Sequence, residues 1–296
     1  MTPTLDAIAR PSGALAMVAM DQRESLVAMF DAAGRGRPDH ARIVDFKVAV
    51  ADALGPLASG FLIDRHFGFE RVRDGGLPES TGLILAADAL TQEEGGPVEE
   101  TALDEVVASS GFDLGGVAAL KLLVIWRRDE RREARVRLAE RFVALCRERG
   151  VLSVLEPAVR ATPAELDAGT WDQEEAIREA ARELSPLGQS LNKVQVPLAG
   201  RGDPDEQLAA SRELDRAISG PWVVLSQGVA LGDFAAAVTA ACRAGASGFL
   251  AGRALWSDVV GADDVPATLR ERSVPRLEAL VETVDREARP WTERAS

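Results

Sequence analysis

Residues 118–126 read AALKLLVIW, and a single lysine, Lys121, interrupts an otherwise apolar run. Two later stretches repeat the pattern: LSVLEPAV at 152–159 holds Glu156, and LNKVQVPL at 191–198 holds Lys193. Near-continuous apolar segments of this length are how parallel strands covered on both faces read. Working outward, further runs of the kind occupy Leu15–Asp21, Gly60–Phe67, Thr81–Asp88, Trp222–Gly228 and Ser247–Leu255, which makes eight in all. Amphipathic stretches fill most of the gaps, among them Glu130–Arg149, Trp171–Leu184, Asp205–Ile218, Asp233–Arg243 and Val265–Arg286. In Glu130–Arg149, Val136, Phe142, Val143 and Cys146 share one side and the Arg and Glu residues form a solvated opposite face.

Eight strand–helix alternations joined by right-handed crossovers close naturally into an α/β fold, a single (β/α)8 TIM barrel spanning residues 1–296. An open doubly wound sheet is the rival, but no GxGxxG follows the first strand. Thr91–Pro97 and Ala161–Thr170 are expected as insertions. Asp203-Pro204 and Gly232-Asp233 carry the chemistry of helix starts.

The chain has 296 residues, 46% of them hydrophobic, and a formal net charge of −13. Long-range repulsion makes nucleic acid and anionic membranes poor partners. A small anion remains possible if Lys and Arg gather inside a pocket. No apolar run reaches the length of a membrane span, and the first ten residues lack a secretory signal pattern, so a soluble cytoplasmic protein is expected. Cys146 and Cys242 fall in helical patterns and are expected as core residues. His40 and His66 are the only histidines and no HxH or HExxH occurs, so a catalytic metal site is not expected, nor is any cofactor. His66, at a strand end, is expected as a hydrogen-bonded structural residue.

Catalytic groups of such barrels sit at the C-terminal ends of the strands. Those ends carry Asp21-Gln22-Arg23, Asp64-Arg65-His66, Asp88, Lys121, Glu156, Lys193, Ser226-Gln227-Gly228 and Gly252-Arg253. A charge inside a buried strand costs several kcal/mol unless paired. A packing salt bridge would explain one such residue. Two lysines and a glutamate on successive strands point instead to chemistry. A lysine attacks a carbonyl only when neutral, and desolvation or a neighbouring ammonium favours that form, so Lys121 is a candidate neighbour for Lys193. Glu156 suits proton transfer, and Asp21 is placed to take a proton from a substrate hydroxyl. Ser226, Gly228, Gly252 and Arg253 suit a phosphate, through backbone N–H groups and one guanidinium.

These residues stand in segments that resemble a family of class I aldolases, the one that includes tagatose-1,6-bisphosphate aldolase and sulfofructose-phosphate aldolase. The segments are MVAMDQRES, DFKVAVADALGPLAS, LKLLVIWRRDE, VLEPAVR, KVQVPLAGRG, WVVLSQGV and AGASGFLAGRALW, in order along nearly the whole chain. The resemblance implies a Schiff base on Lys193, with Glu156 and Lys121 as the acid/base group and supporting lysine and Asp21 as the active-site aspartate. It places Gln22 and Arg23 near the anionic far end of the sugar. It places Ser226, Gly228, Gly252 and Arg253 at the dihydroxyacetone phosphate moiety. LVIWRRDE, AGASGFLAGRALW and the Phe67 after Asp64-Arg65-His66 lie closer to the sulfofructose-phosphate branch. Gln227 and Arg201 depart from the usual family residues.

The implied reaction is cleavage of 6-deoxy-6-sulfofructose 1-phosphate to dihydroxyacetone phosphate and 3-sulfolactaldehyde. Tagatose 1,6-bisphosphate, giving dihydroxyacetone phosphate and glyceraldehyde 3-phosphate, is the alternative. A non-catalytic barrel that binds sugar phosphates is a remote one. The resemblance also implies a homo-oligomer.

Overall fold

The computed structural model describes residues 3–75 and 77–294. Its centre is a closed barrel of eight parallel strands: β1 (Leu15–Met20), β2 (Gly60–Asp64), β3 (Gly82–Ala86), β4 (Val117–Trp126), β5 (Leu152–Val159), β6 (Leu191–Gln195), β7 (Trp222–Leu225) and β8 (Gly248–Ala251). Each falls inside one of the eight apolar runs, except that β4 begins one residue earlier, at Val117. The last strand pairs with the first, Leu15 opposite Gly248 and Val18 opposite Ala251, so the sheet is closed and the open-sheet alternative is wrong.

One helix from each strand-to-strand connection and one after the last strand are α1 (His40–Leu54, preceded by a shorter helix at Glu24–Ala32), α2 (Phe69–Arg73), α3 (Glu105–Ala108), α4 (Arg132–Arg149), α5 (Gln173–Leu184), α6 (Pro204–Ala217), α7 (Phe234–Ala244) and α8 (Val274–Glu287). Only four residues are helical after β3, where an antiparallel hairpin, Asp88–Gln92 paired with Val98–Leu103, has been inserted. The expected insertion Thr91–Pro97 spans the turn of this hairpin, and Ala161–Thr170 contains the short helix Pro163–Ala168.

Strand alternation divides the core into two layers. Leu15, Met17 and Ala19 of β1, Ala119 of β4, Leu152 and Val154 of β5, Leu191 of β6 and Leu250 of β8 fill the barrel, closed below by Leu5 and Ile8. Their alternate neighbours, such as Ala16, Val18, Leu120, Leu155 and Phe249, pack under the helices. The inward rows continue upward in steps of two residues, and that continuation selects what lines the mouth.

Helix starts differ from expectation at one site. Asp203 accepts from the N–H groups of Asp205 and Glu206 and completes a capping box with Glu206 at the start of α6. Asp233 makes no side-chain cap at the start of α7, because its backbone is already helical (φ −95°, ψ −14°). The stretch expected as one helix over Val265–Arg286 is interrupted by a π turn at Leu269–Ser273, two residues before Pro275, whose missing N–H removes one rung of the ladder. Cys146 and Cys242 are buried free thiols, and burial pushes Cys242 up to about 12. No helix among the described residues is long and apolar enough to cross a membrane.

Candidate active site

The upper ends of the strands enclose a cavity of about 430 Å³, within the range of small-molecule sites. The inward row of β4 runs Ala119, Lys121, Leu123, Ile125, and that of β5 runs Leu152, Val154, Glu156, Ala158, Arg160. Lys193 comes up the same way above Leu191 on β6. The inserted hairpin adds Leu90, Gln92 and Val98 as a side wall.

At the floor Lys193 is 3% exposed, and its Nζ donates to Glu156 Oε2 at 2.9 Å. The same oxygen lies 2.8 Å from Lys121 Nζ. Lys121 also donates to Asp21 Oδ2 at 2.9 Å and Asp88 Oδ2 at 3.0 Å. Burial opposes a charge on Lys121, but Asp21, Asp88 and Glu156 together raise it well above the ordinary lysine value, which favours the cation near neutrality. Burial likewise works against the Asp21 carboxylate. Lys121 and Lys193, with Arg23, outweigh it and hold Asp21 well below the ordinary aspartate value.

Of the residues singled out in the sequence, Asp21, Gln22, Arg23, Lys121, Glu156, Lys193, Ser226, Gly252 and Arg253 all line this cavity. Gly228 does not. It stands at φ 81° in the turn that Val229 N closes on Ser226 O, so its contribution is to the turn rather than to the wall. Gln227, which precedes it, does reach the wall. Arg253 opens the short helix Arg253–Trp256. Asp64 is spent elsewhere: it pairs with buried Lys47 and accepts from the N–H groups of His66 and Phe67. His66 lies in a neighbouring depression with His40 and Phe67. Its pKa is lowered by burial and by Arg65 and Arg23.

Two further cavity residues were given no role from the sequence: Asp88, placed there only at the end of its strand, and Arg160, which was not singled out. Asp88 is 1% exposed and accepts from Lys121, from Leu123 N at 3.1 Å and from Arg23 Nη2 at 2.7 Å, while its carbonyl oxygen takes Arg23 Nη1 at 2.9 Å. It ties β1, β3 and β4 together under the cavity. Arg160 is half-buried and sits four residues, two inward steps, beyond Glu156. Strand parity would have found it. Among the described residues, three buried polar atoms of this lining lack a protein partner: Gln22 Oε1, Arg23 Nε and Arg160 Nε.

A barrel whose mouth holds paired buried lysines and carboxylates is built as an enzyme. The chain belongs to the DeoC/LacD family of aldolases, whose family description matches residues 15–258, and it is therefore a carbon–carbon lyase. Curated relatives include tagatose 1,6-diphosphate aldolase 2 of Streptococcus pyogenes serotype M3, 26% identical and covering 95% of this chain and 94% of its own. Tagatose 1,6-diphosphate aldolase of Listeria monocytogenes serotype 4b is also 26% identical, covering 97% and 92%. Solved structures of the same fold include the fructose-bisphosphate aldolase of Plasmodium falciparum, with TM-score 0.67, 15% identity and coverage of 98% and 99%. An archaeal fructose-1,6-bisphosphate aldolase has TM-score 0.58, 16% identity and coverage of 95% and 98%.

Proposed function

We propose that the protein is a class I aldolase that cleaves a ketose 1-phosphate carrying a second anionic group at its far end, through a Schiff base on Lys193. The observation that carries this reading is the shared oxygen, Glu156 Oε2, which meets the amines of Lys193 and Lys121 at 2.9 and 2.8 Å on the cavity floor. Glu156 is the group within reach to take the proton that Lys193 must lose before it attacks the C2 ketone. It then returns a proton to the carbinolamine oxygen, which leaves as water. Lys121 keeps its charge throughout and holds Glu156 and Asp21 in place.

The iminium draws in the electrons of the C3–C4 bond as that bond breaks. The C4 hydroxyl proton passes to Asp21, or to a group it orients, and C4 leaves as an aldehyde. Protonation of the enamine at C3 and hydrolysis of the imine release dihydroxyacetone phosphate. Ser226, Gly252 and Arg253 hold its phosphate, and Gln22 and Arg23 stand towards the far end of the sugar. The archaeal aldolase of the same fold was solved with its catalytic lysine bound to a carbinolamine intermediate, which is in keeping with this route.

The sequence resemblance favours 6-deoxy-6-sulfofructose 1-phosphate as substrate, with 3-sulfolactaldehyde as second product. The names of the Streptococcus and Listeria relatives support a second reading, tagatose 1,6-bisphosphate cleaved to glyceraldehyde 3-phosphate. Kinetics with both ketoses side by side decide between them, and faster turnover of tagatose bisphosphate reverses the order. Borohydride reduction in the presence of dihydroxyacetone phosphate, read by mass spectrometry, tests the chemistry itself. The expected adduct is on Lys193 and is absent from Lys193→Met, which has no turnover but an unchanged fold. Substantial activity in Lys193→Met removes this residue as nucleophile.

A further inference from the structure

The cations of the cavity are not equally committed. Lys121 has three carboxylates and Lys193 has one. Arg23 spends both Nη atoms on Asp88, and its Nε stands 3.9 Å from Asp64. Its charge is thus neutralised from within the protein. Arg160 and Arg253 differ: among the described residues neither has a carboxylate within 4.0 Å, and both line the cavity. Arg160 has its backbone N–H bound to Trp126 O at 2.9 Å, which fixes its place at the top of β5, and its side-chain Nε is buried with no acceptor. Burial lowers its pKa, Glu99 raises it, and the charges of Arg127 and Arg253 lower it further. Glu99 in turn is held by Arg127, whose Nη2 bonds its carboxylate and whose Nη1 bonds its carbonyl oxygen.

A chain with net charge −13 thus keeps an under-compensated cluster of guanidinium groups at one cavity. Arg253 is exposed to solvent, whereas Arg160 is half-buried and its Nε is withdrawn from water without an acceptor, an arrangement that an incoming anion stabilises. The two arginines stand just beyond the ends of two strands, β5 and β8, with Lys193 on β6 between those strands in the barrel order. A ketose joined to Lys193 at C2 sends its C1 phosphate one way and its C6 group the other. If Arg253 takes the phosphate, the cation left for the other end is the one just beyond β5.

We propose that Arg160 recognises the second anionic group of the substrate, a phosphate or sulfonate remote from C1, and so sets the preference for doubly anionic ketoses. This rests on the function proposed above. It adds to Gln22 and Arg23, whose guanidinium is bonded to Asp88, a cation just beyond β5 that has no carboxylate against its buried Nε.

The test compares each ketose that has two anionic groups with the counterpart that has only the C1 phosphate. Tagatose 1,6-bisphosphate is set against tagatose 1-phosphate, and 6-deoxy-6-sulfofructose 1-phosphate against fructose 1-phosphate, using the pair that the wild type cleaves. In Arg160→Gln, KM for the doubly anionic member rises roughly 10- to 100-fold, as expected for loss of one charge-assisted hydrogen bond. KM for the member with only the C1 phosphate stays the same, and Arg160→Lys recovers part of the loss. A melting curve on each variant establishes that the fold is kept. Equal weakening of both members, which is what Arg160 would give if it shared the C1 phosphate with Arg253, overturns the assignment. No change in either member overturns it too. Borohydride trapping of dihydroxyacetone phosphate on the wild type separates the two levels. An adduct with an unselective Arg160→Gln defeats only the role of Arg160. No adduct and no cleavage of any ketose defeats the aldolase mechanism and this inference with it.

Discussion

Lys121 is 2% exposed and stands among three carboxylates, so the effect of removing it depends on pH in a defined direction. Asp21 is held below its unfolded value of 3.8. Its contribution to stability is therefore complete above that pH and is lost as pH falls through the depressed folded value. Lys121 is held above 10.5, so its contribution is complete below that pH and is lost as pH rises through the raised folded value. Lys121→Met should destabilise by about 3–5 kcal/mol near neutrality, where it leaves buried carboxylates unpaired. Calorimetry should show the gap from wild type narrowing below pH 3.8 as Asp21 takes up its proton. A gap that stays constant into acid means that Lys121 acts by packing alone.

Asp88 is a positioning residue that touches both Lys121 and Arg23. Asp88→Asn can still accept from Leu123 N but loses the charge that the two cations share. The expected result is a fall in kcat of about 10- to 100-fold with KM little altered, since the floor is misplaced rather than the binding groups removed. A rise in KM at constant kcat would assign Asp88 to substrate binding instead. Its role was hidden in the sequence because its partners Arg23 and Lys121 lie 65 and 33 residues away, and only barrel closure brings them together.

At the scale of elements, one correct and one incorrect cap give a paired prediction. Asp203→Ala removes the capping box of α6 and should cost about 1 kcal/mol. Asp233→Ala, with no cap bond to lose, should cost less than about half of that in urea titrations. Equal losses would show that cap geometry does not govern these two helix starts. The strands were legible because burial on both faces leaves an apolar signature that survives without any alignment. Their ends were not, because the apolar residues run on into the loops. Val196, Pro197 and Leu198 extend the run of β6, yet Pro197 cannot continue the ladder, and Leu198 and Ala199 turn to φ 56° and 50°. The hairpin after β3 left a weak signal: Val98–Leu103 is half polar and pairs only with its neighbour Asp88–Gln92. The inward rows were readable through Lys121, Glu156 and Lys193, and one more step of two would have reached Arg160.

For the whole molecule, closure depends on contacts between its two ends. Arg10 is bonded to Asp285, 275 residues away, and β1 lies against β8. At that seam Gly248 takes φ 141°, and a Cβ there would stand 1.8 Å from Leu15 O. Gly248→Ala should therefore push β8 from β1 and cost about 3 kcal/mol or more, seen as a large drop in melting temperature. A variant that melts like the wild type would mean that the seam tolerates displacement.

The closing of the last strand on the first also governs how the molecule is made. Until β8 leaves the ribosome, β1 and β7 each present a row of unpaired backbone groups to the cell, and such edges recruit other strands. Their proper partner is synthesised more than two hundred residues after β1. The nascent protein therefore passes most of its synthesis as an open, adhesive sheet, and protection from other strands matters most until the last sixth of the polypeptide emerges.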